Sequence, residues 1–347
     1  MKIYLSGFGS VSRALIELII SKKVEYKARY QLDLQVVGVI GREGLLEDQN
    51  GLDLEWMLEN ELGSRGIVAY AQAKDIPLQT EYTFEGDLLV ECTPSHHAHG
   101  EPGYTYMKQA LQDGLHIVTV SKGALLHHFQ ELMDLATSKN KTVKFSGAVA
   151  AALPTYDMAD YCLAGTTLTE FAAVLNGTSN FVLSHMMDSG QAFLESLQKA
   201  QELRIAEANP DNDIKGIDSA SKLVILANSL FEGAFHLNDV SIQGITDVTQ
   251  KEVDDATTTG YTIRLVARAA YEAQQLVLSV KPEWLLKNHP LASVHGTNKG
   301  IIFSTKEMGD LFVSGGASSP TGAASAALKD MINLNKVDQC IIQSRSL

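Results

Sequence analysis

Asp218 and Lys222 stand four positions apart at the head of the apolar run "LVILANSLF", within the charged stretch "AEANPDNDIKGIDSASK" at 206–222. On a helix, positions i and i+4 share a face, so carboxylate and ammonium meet there; a solvated pair of this kind contributes only about 0.2–0.5 kcal/mol. This pair opens a helix patterned for burial, and Glu207, Asp211 and Asp213 come just before it. A lysine beside a carboxylate at the mouth of a cleft can polarise a substrate oxygen and shuttle its proton.

A second chemical signal lies at the N-terminus. Gly7, Phe8, Gly9, Ser10 and Val11 follow a short alternating segment (1–6) and open a helical pattern through Val11, Leu15, Leu18 and Ile19. The first glycine permits a tight turn and the second lets backbone approach a pyrophosphate, whose charge then rests on free N–H groups at the helix start. The third glycine of such a fingerprint is Ser12 here, whose hydroxymethyl group is expected to push helix and strand slightly apart. The next strand, 32–41, ends in Gly41-Arg42. An arginine there accommodates a 2′-phosphate, whereas an acidic residue would grip the ribose 2′-hydroxyl. The reading is NADP, with NAD as the alternative because Glu43 is adjacent.

The elements that must position these residues follow from periodicity. Strand patterns at 87–93, 114–123 and 142–150 alternate with helical ones, which predicts an α/β fold with a Rossmann-type doubly wound parallel sheet. Lys122 lies just past the fourth strand, at the edge where such sheets bind ligands. Beyond residue 150 the pattern becomes α+β: a strand enters a helix through the turn at 176–180, that helix stops at Gly190, and helices follow at 191–204 and 217–231. Strand-like pieces at "VSIQGIT", "YTIRLVARAAYEA", "QLVLSVKP" and "GIIFST" predict a mostly antiparallel sheet. The expected domains are 1–150, joined by the C-terminal segment 308–347, and a substrate domain at 151–307.

Composition narrows the function. The net charge of −13 argues against nucleic acid or an anionic membrane as partner, and no apolar run is long enough to span a bilayer. Three widely spaced cysteines, Cys92, Cys162 and Cys340, fit a soluble protein of a reducing cytoplasm. Cys162 has no activating base nearby in sequence and is expected to be a buried structural cysteine. His96, His97 and His99, with His127 and His128, lack a recognisable ligand spacing and are read as loop and helix-surface residues.

Taken together the motifs resemble the homoserine dehydrogenase family over nearly the whole chain. "LNGTSNFVL" (175–183) is similar to that family's asparagine-glycine-threonine-threonine-asparagine turn. The charged stretch resembles its glutamate, proline and aspartate signature ending in Asp-x-x-x-Lys. "ECTPS" (91–95) and "GLHIVTVSKG" (114–123) match its cofactor-domain segments, and "PLASVHGTNKGIIF" (290–303) and "GGASSPTGAASA" (315–326) its C-terminal pattern. The resemblance is to the short form, without a C-terminal regulatory domain.

The resemblance implies interconversion of aspartate 4-semialdehyde and homoserine by NAD(P)-linked hydride transfer, a step of threonine and methionine biosynthesis, in a homodimer paired through the second domain's sheet. It implies Lys222 as acid/base with Lys122 and Asp218 beside it. Glu207 and Asp213 would take the substrate ammonium, and Gly177 and Thr178 the polar end. Thr93, Pro94, Ser121, Lys122 and Gly316 would join the glycine loop and Arg42 around the cofactor.

Departures from the family pattern leave a changed small hydroxy- or aldehyde-acid substrate, or a weakly active nucleotide-binding regulator, as alternatives. "AVAAALP" (148–154) has alanines where the family has glycines, and these are expected to narrow the space near the nicotinamide. Asn209, Ser121 and Ile205 replace the family's aspartate, asparagine and tyrosine. Ser146 replaces a glutamate that helps bind a structural cation, so no metal is carried over.

Overall fold

The computed structural model describes residues 1–95, 99–316 and 318–345, which places His96 and His97 outside the described residues. The chain forms two compact units, Met1–Ala152 with Ser319–Leu347, and Leu153–Ser318.

The first unit begins β1 (Lys2–Ser6), α1 (Ser10–Tyr30), β2 (Gln35–Gly41) and β3 (Gly44–Glu47). It continues through α2 (Leu54–Glu59), α3 (Gly63–Lys74), β4 (Leu88–Glu91) and α4 (Gly103–Gln112). Then come β5 (His116–Thr119), α5 (Gly123–Ser138), β6 (Val143–Lys144) and α6 (Ser146–Ala150). The sheet order is β3-β2-β1-β4-β5-β6, parallel except for the antiparallel edge strand β3. Its central strands are mostly apolar and buried, as expected where helices cover both faces. The strand expected over 142–150 is only two residues long. From Ser146 the chain turns into a helix instead, because the buried Asp330 carboxylate accepts both the Ser146 N–H (3.1 Å) and its hydroxyl (2.9 Å). A carboxylate is favourable at a helix start, and it replaces the ladder a longer strand would need.

The second unit runs β7 (Leu168–Val174), α8 (Gly177–Ser189), α9 (Phe193–Glu202), α10 (Asp211–Ile214) and α11 (Ile217–Leu230), after a short helix α7 (Thr155–Asp157) and a π-turn at Met158–Cys162. It ends with β8 (Val240–Ile242), α12 (Gln250–Thr258), β9 (Tyr261–Glu272), β10 (Gln275–Leu286), β11 (Lys299–Thr305) and β12 (Gly309–Gly315). Their order is β12-β11-β7-β9-β10-β8, antiparallel except for β8 on β10. Gly190 takes the left-handed conformation that closes α8, its N–H returning to the Met186 carbonyl.

The last helix, α13 (Pro320–Arg345), packs on α1, and Ala324, Ala327, Leu328, Met331 and Leu334 enter the first unit's core. The return therefore begins at Ser319, not at 308, because 309–315 pairs with β11 as β12. Cys162 is exposed rather than buried, since its π-turn lies at the surface of the second unit.

Candidate active site

The first unit holds a cavity of about 860 Å³ at the carboxyl edge of its sheet, floored by Gly7–Val11 and walled by Thr93, Pro94 and Ser121. Gly7 has φ +80°, and a Cβ there would come within 3.2 Å of the Cys92 carbonyl, so the turn between β1 and α1 admits only glycine. Gly9 caps α1 without a side-chain hydrogen bond, and no acidic residue occupies the first turn, so the N-terminal amides and the positive helix end are directed at an anion. Phe8 is buried beneath the loop. These features fit a dinucleotide pyrophosphate. Ser12 does not wedge helix from strand: it is fully buried, and its hydroxyl donates to the Gly7 carbonyl at 2.9 Å, bracing the loop from within.

Arg42 and Arg65 both line this cavity, and among the described residues none that line it is acidic. Glu43 lines a separate depression of about 260 Å³ with Arg65 and Gln72. Lys122 follows Ser121 at the head of α5, its N–H donating to the Ser95 hydroxyl at 2.9 Å. Burial raises the Cys92 thiol to about 12, which leaves it an unreactive wall residue. Gly316 belongs to the second unit, where a Cβ would meet the Leu153 nitrogen at 2.6 Å; its demand for glycine is met by packing. Ala148, Val149 and Ala150 are buried within α6, so their methyl groups fill the first unit's interior.

The second unit brings the charged residues together. Lys222 Nζ lies 2.5 Å from Asp218 Oδ2 and donates to the Leu175 carbonyl at 2.9 Å, with both charged side chains only 12% exposed. The pair is thus desolvated and held by a backbone acceptor, unlike a surface pair. Asn176 completes the arrangement, its amide donating to Asp213 Oδ1 at 2.6 Å and to Asp218 Oδ2 at 2.8 Å. Its own oxygen accepts the Ser179 N–H and caps α8. Burial, then the neighbouring Asp218 charge, raises the Asp213 pKa. Thr178 donates to the Ile205 carbonyl at 3.1 Å, and Asn180 fans its amide across the carbonyls of Val294, Gly296 and Asn298. Glu207 is exposed, and its carbonyl accepts from the Gln201 amide.

Sequence reasoning placed Asp213, Asp218 and Lys222 in one cluster but missed Asn176, Arg65 and Ser95. An asparagine ahead of a helix start is an N-cap signature, so half of what Asn176 does was legible. Its grip on carboxylates 37 and 42 residues away was not.

Two family models match consecutive parts of the chain: the NAD-binding domain of homoserine dehydrogenase over residues 7–146, and homoserine dehydrogenase over 154–332. The chain belongs to the homoserine dehydrogenase family. An NAD(+)-dependent homoserine dehydrogenase of Pseudomonas canavaninivorans is 34% identical, covering 96% of each chain, and a homoserine dehydrogenase of Methanocaldococcus jannaschii is 31% identical over 96% of this chain and 98% of that one. Among solved structures, a homoserine dehydrogenase from Thiobacillus denitrificans superposes with a TM-score of 0.82 at 27% identity, over 98% of this chain and 74% of that one. Membership makes the protein an enzyme, an NAD(P)-dependent oxidoreductase acting between homoserine and aspartate 4-semialdehyde. The comparisons lend no support to a changed substrate or a regulatory nucleotide binder. Among the described residues, no helix is long and apolar enough to cross a membrane.

Proposed function

We propose that Lys222 is the acid/base of this homoserine dehydrogenase reaction. The observation that carries the reading is the desolvated Lys222–Asp218 pair, anchored by the Leu175 carbonyl. An ammonium has three N–H donors. Two are engaged by Asp218 and Leu175, which aims the third at a substrate oxygen. When bound, the nicotinamide cofactor supplies or accepts the hydride at the carbonyl carbon. As the aldehyde is reduced, Lys222 gives its proton to the developing alkoxide; in the reverse direction neutral Lys222 takes the hydroxyl proton. Asp218 and the Leu175 carbonyl hold the ammonium in place. By the same reading Lys122, at the carboxyl edge of the first unit's sheet, serves catalysis from the cofactor side, Asp213 and Glu207 take the substrate ammonium, and Gly177 and Thr178 hold the polar end.

The cofactor we assign is NADP. Arg42 and Arg65 offer two guanidinium groups to a 2′-phosphate, and the absence of a carboxylate among the cavity-lining residues removes the partner that a ribose 2′-hydroxyl would want. This differs from the NAD(+) dependence stated for the Pseudomonas relative. We further assign a cytoplasmic homodimer. Exposed Tyr271, Trp284 and Leu286 on β9 and β10 favour pairing through the second sheet, and light scattering that gives the monomer mass at assay concentration would remove it.

The deciding experiment follows reduced-cofactor oxidation by the purified protein with aspartate 4-semialdehyde, using NADPH and NADH in parallel, then homoserine in reverse. Turnover with a higher kcat/KM for NADPH is expected. Faster turnover with NADH overturns the cofactor assignment alone, and no turnover with either overturns the reaction.

A further inference from the structure

Glu91, the last residue of β4, is completely shielded from solvent. An isolated buried carboxylate is costly, and burial pushes its pKa up. Its neighbours, however, are donors. Oε1 accepts the Thr93 N–H at 2.8 Å and the Thr93 hydroxyl, and Oε2 accepts the Thr119 hydroxyl at 2.7 Å; Ser121 adds a further side-chain hydrogen bond. Gly103, the first residue of α4, leaves room for the carboxylate: a Cβ there would stand 3.0 Å from Oε1.

The network continues outward. The Ser121 N–H donates to Thr119 Oγ1 at 3.1 Å, the Ser121 and Ser95 hydroxyls are 3.1 Å apart, and Ser95 Oγ accepts the Lys122 N–H at 2.9 Å. Thr93 and Ser95 stand in the loop after β4, Ser121 and Lys122 in the loop after β5, and Thr93, Ser95 and Ser121 face the cofactor cavity. One buried carboxylate therefore joins two loops just past the last backbone link between β4 and β5 among the described residues, the Val120 N–H to the Glu91 carbonyl at 3.0 Å.

We propose that Glu91 is a positioning residue for hydride transfer, a buried carboxylate that ties the loop after β4 to the loop after β5 and so sets Thr93, Ser121 and the head of Lys122 against the cofactor. The inference rests on the cofactor cavity and the Lys122 role assigned above. The pyrophosphate would rest on the amides of Gly7–Val11, whereas Thr93, Thr119 and Ser121 hang on the Glu91 link. Loosening it disturbs alignment more than affinity, and a misplacement of about 1 Å costs roughly 100-fold in rate.

The test uses Glu91→Gln, Thr119→Val and the double variant, each nearly isosteric. The expected result is a kcat at least about 5-fold lower in Thr119→Val with the NADPH dissociation constant within about 2-fold. The double variant should be no worse than the poorer single one, because both cut the same link. Bound NADPH should also lose fluorescence anisotropy, a readout that needs no substrate and separates this inference from the assigned reaction. Wild-type kcat and anisotropy in folded variants, with only a lower melting temperature, would make Glu91 merely structural; additive losses would likewise overturn the link. Ser95→Ala, at the outer end of the chain of hydroxyls, repeats the test should either buried substitution fail to fold, with the same two outcomes.

Discussion

The cofactor cavity and the charged cluster solve opposite problems by opposite means. The first unit receives a large anion with backbone: a glycine turn, an open helix end, small hydroxyls and two exposed arginines. The second holds three ionisable side chains, the half-buried Asp213 and the largely buried Asp218 and Lys222, through the amide of Asn176 and the carbonyl of Leu175. Backbone donors do not depend on side-chain identity, so the cavity can accept Ser12 where a glycine is usual. Buried charges depend on each partner, because removing one leaves the other unpaired.

That contrast can be broken most sharply at Lys222. Lys222→Ala is expected to lower kcat by roughly 100-fold or more, the usual contribution of a positioned acid/base, with NADPH affinity unchanged by fluorescence titration. A variant retaining more than about a tenth of wild-type turnover would falsify the assignment. Asn176→Ala removes both carboxylate donors and the α8 cap. We expect kcat to fall on the order of 10-fold and stability by about 2 kcal/mol in urea unfolding; an unchanged kcat would mean that the clamp serves the fold alone.

On the cofactor side, Arg42→Ala is expected to raise KM for NADPH about 10-fold and leave NADH nearly untouched, since a charge-assisted contact to phosphate is worth about 1.5–3 kcal/mol. Equal effects on both cofactors would place the arginine elsewhere. The smallest effect concerns Asp213. Its pKa is raised in the folded state, so the folded protein holds that proton more tightly than the unfolded chain. The stability this provides is complete below the ordinary carboxylate range and is lost as pH rises through the folded value. Asp213→Asn should therefore melt a few degrees higher than wild type at neutral pH and converge with it near about pH 3, while binding substrate more weakly. A variant that melts lower at neutral pH would contradict the sign.

Much of this is legible in the sequence because it is local. Apolar alternation marked β1, β2, β4 and β5, and four-residue spacing put Asp218 and Lys222 on one face of α11. What escaped depends on distant partners. The 146–150 stretch reads as a strand until Asp330 caps it, and 309–315 reads as part of the return until β11 pairs with it. Cys162 looked like a core residue because its apolar neighbours say nothing of a surface π-turn. Arg65 offers no local signal, since nothing between residues 42 and 65 indicates that both line one cavity.

The return of α13 has a consequence for synthesis. The second unit is one continuous stretch of chain, whereas the first lacks five core side chains until residues 324–334 have been made. On the ribosome the half that starts first must finish last, waiting with an uncovered flank of α1 while the other half can close behind it.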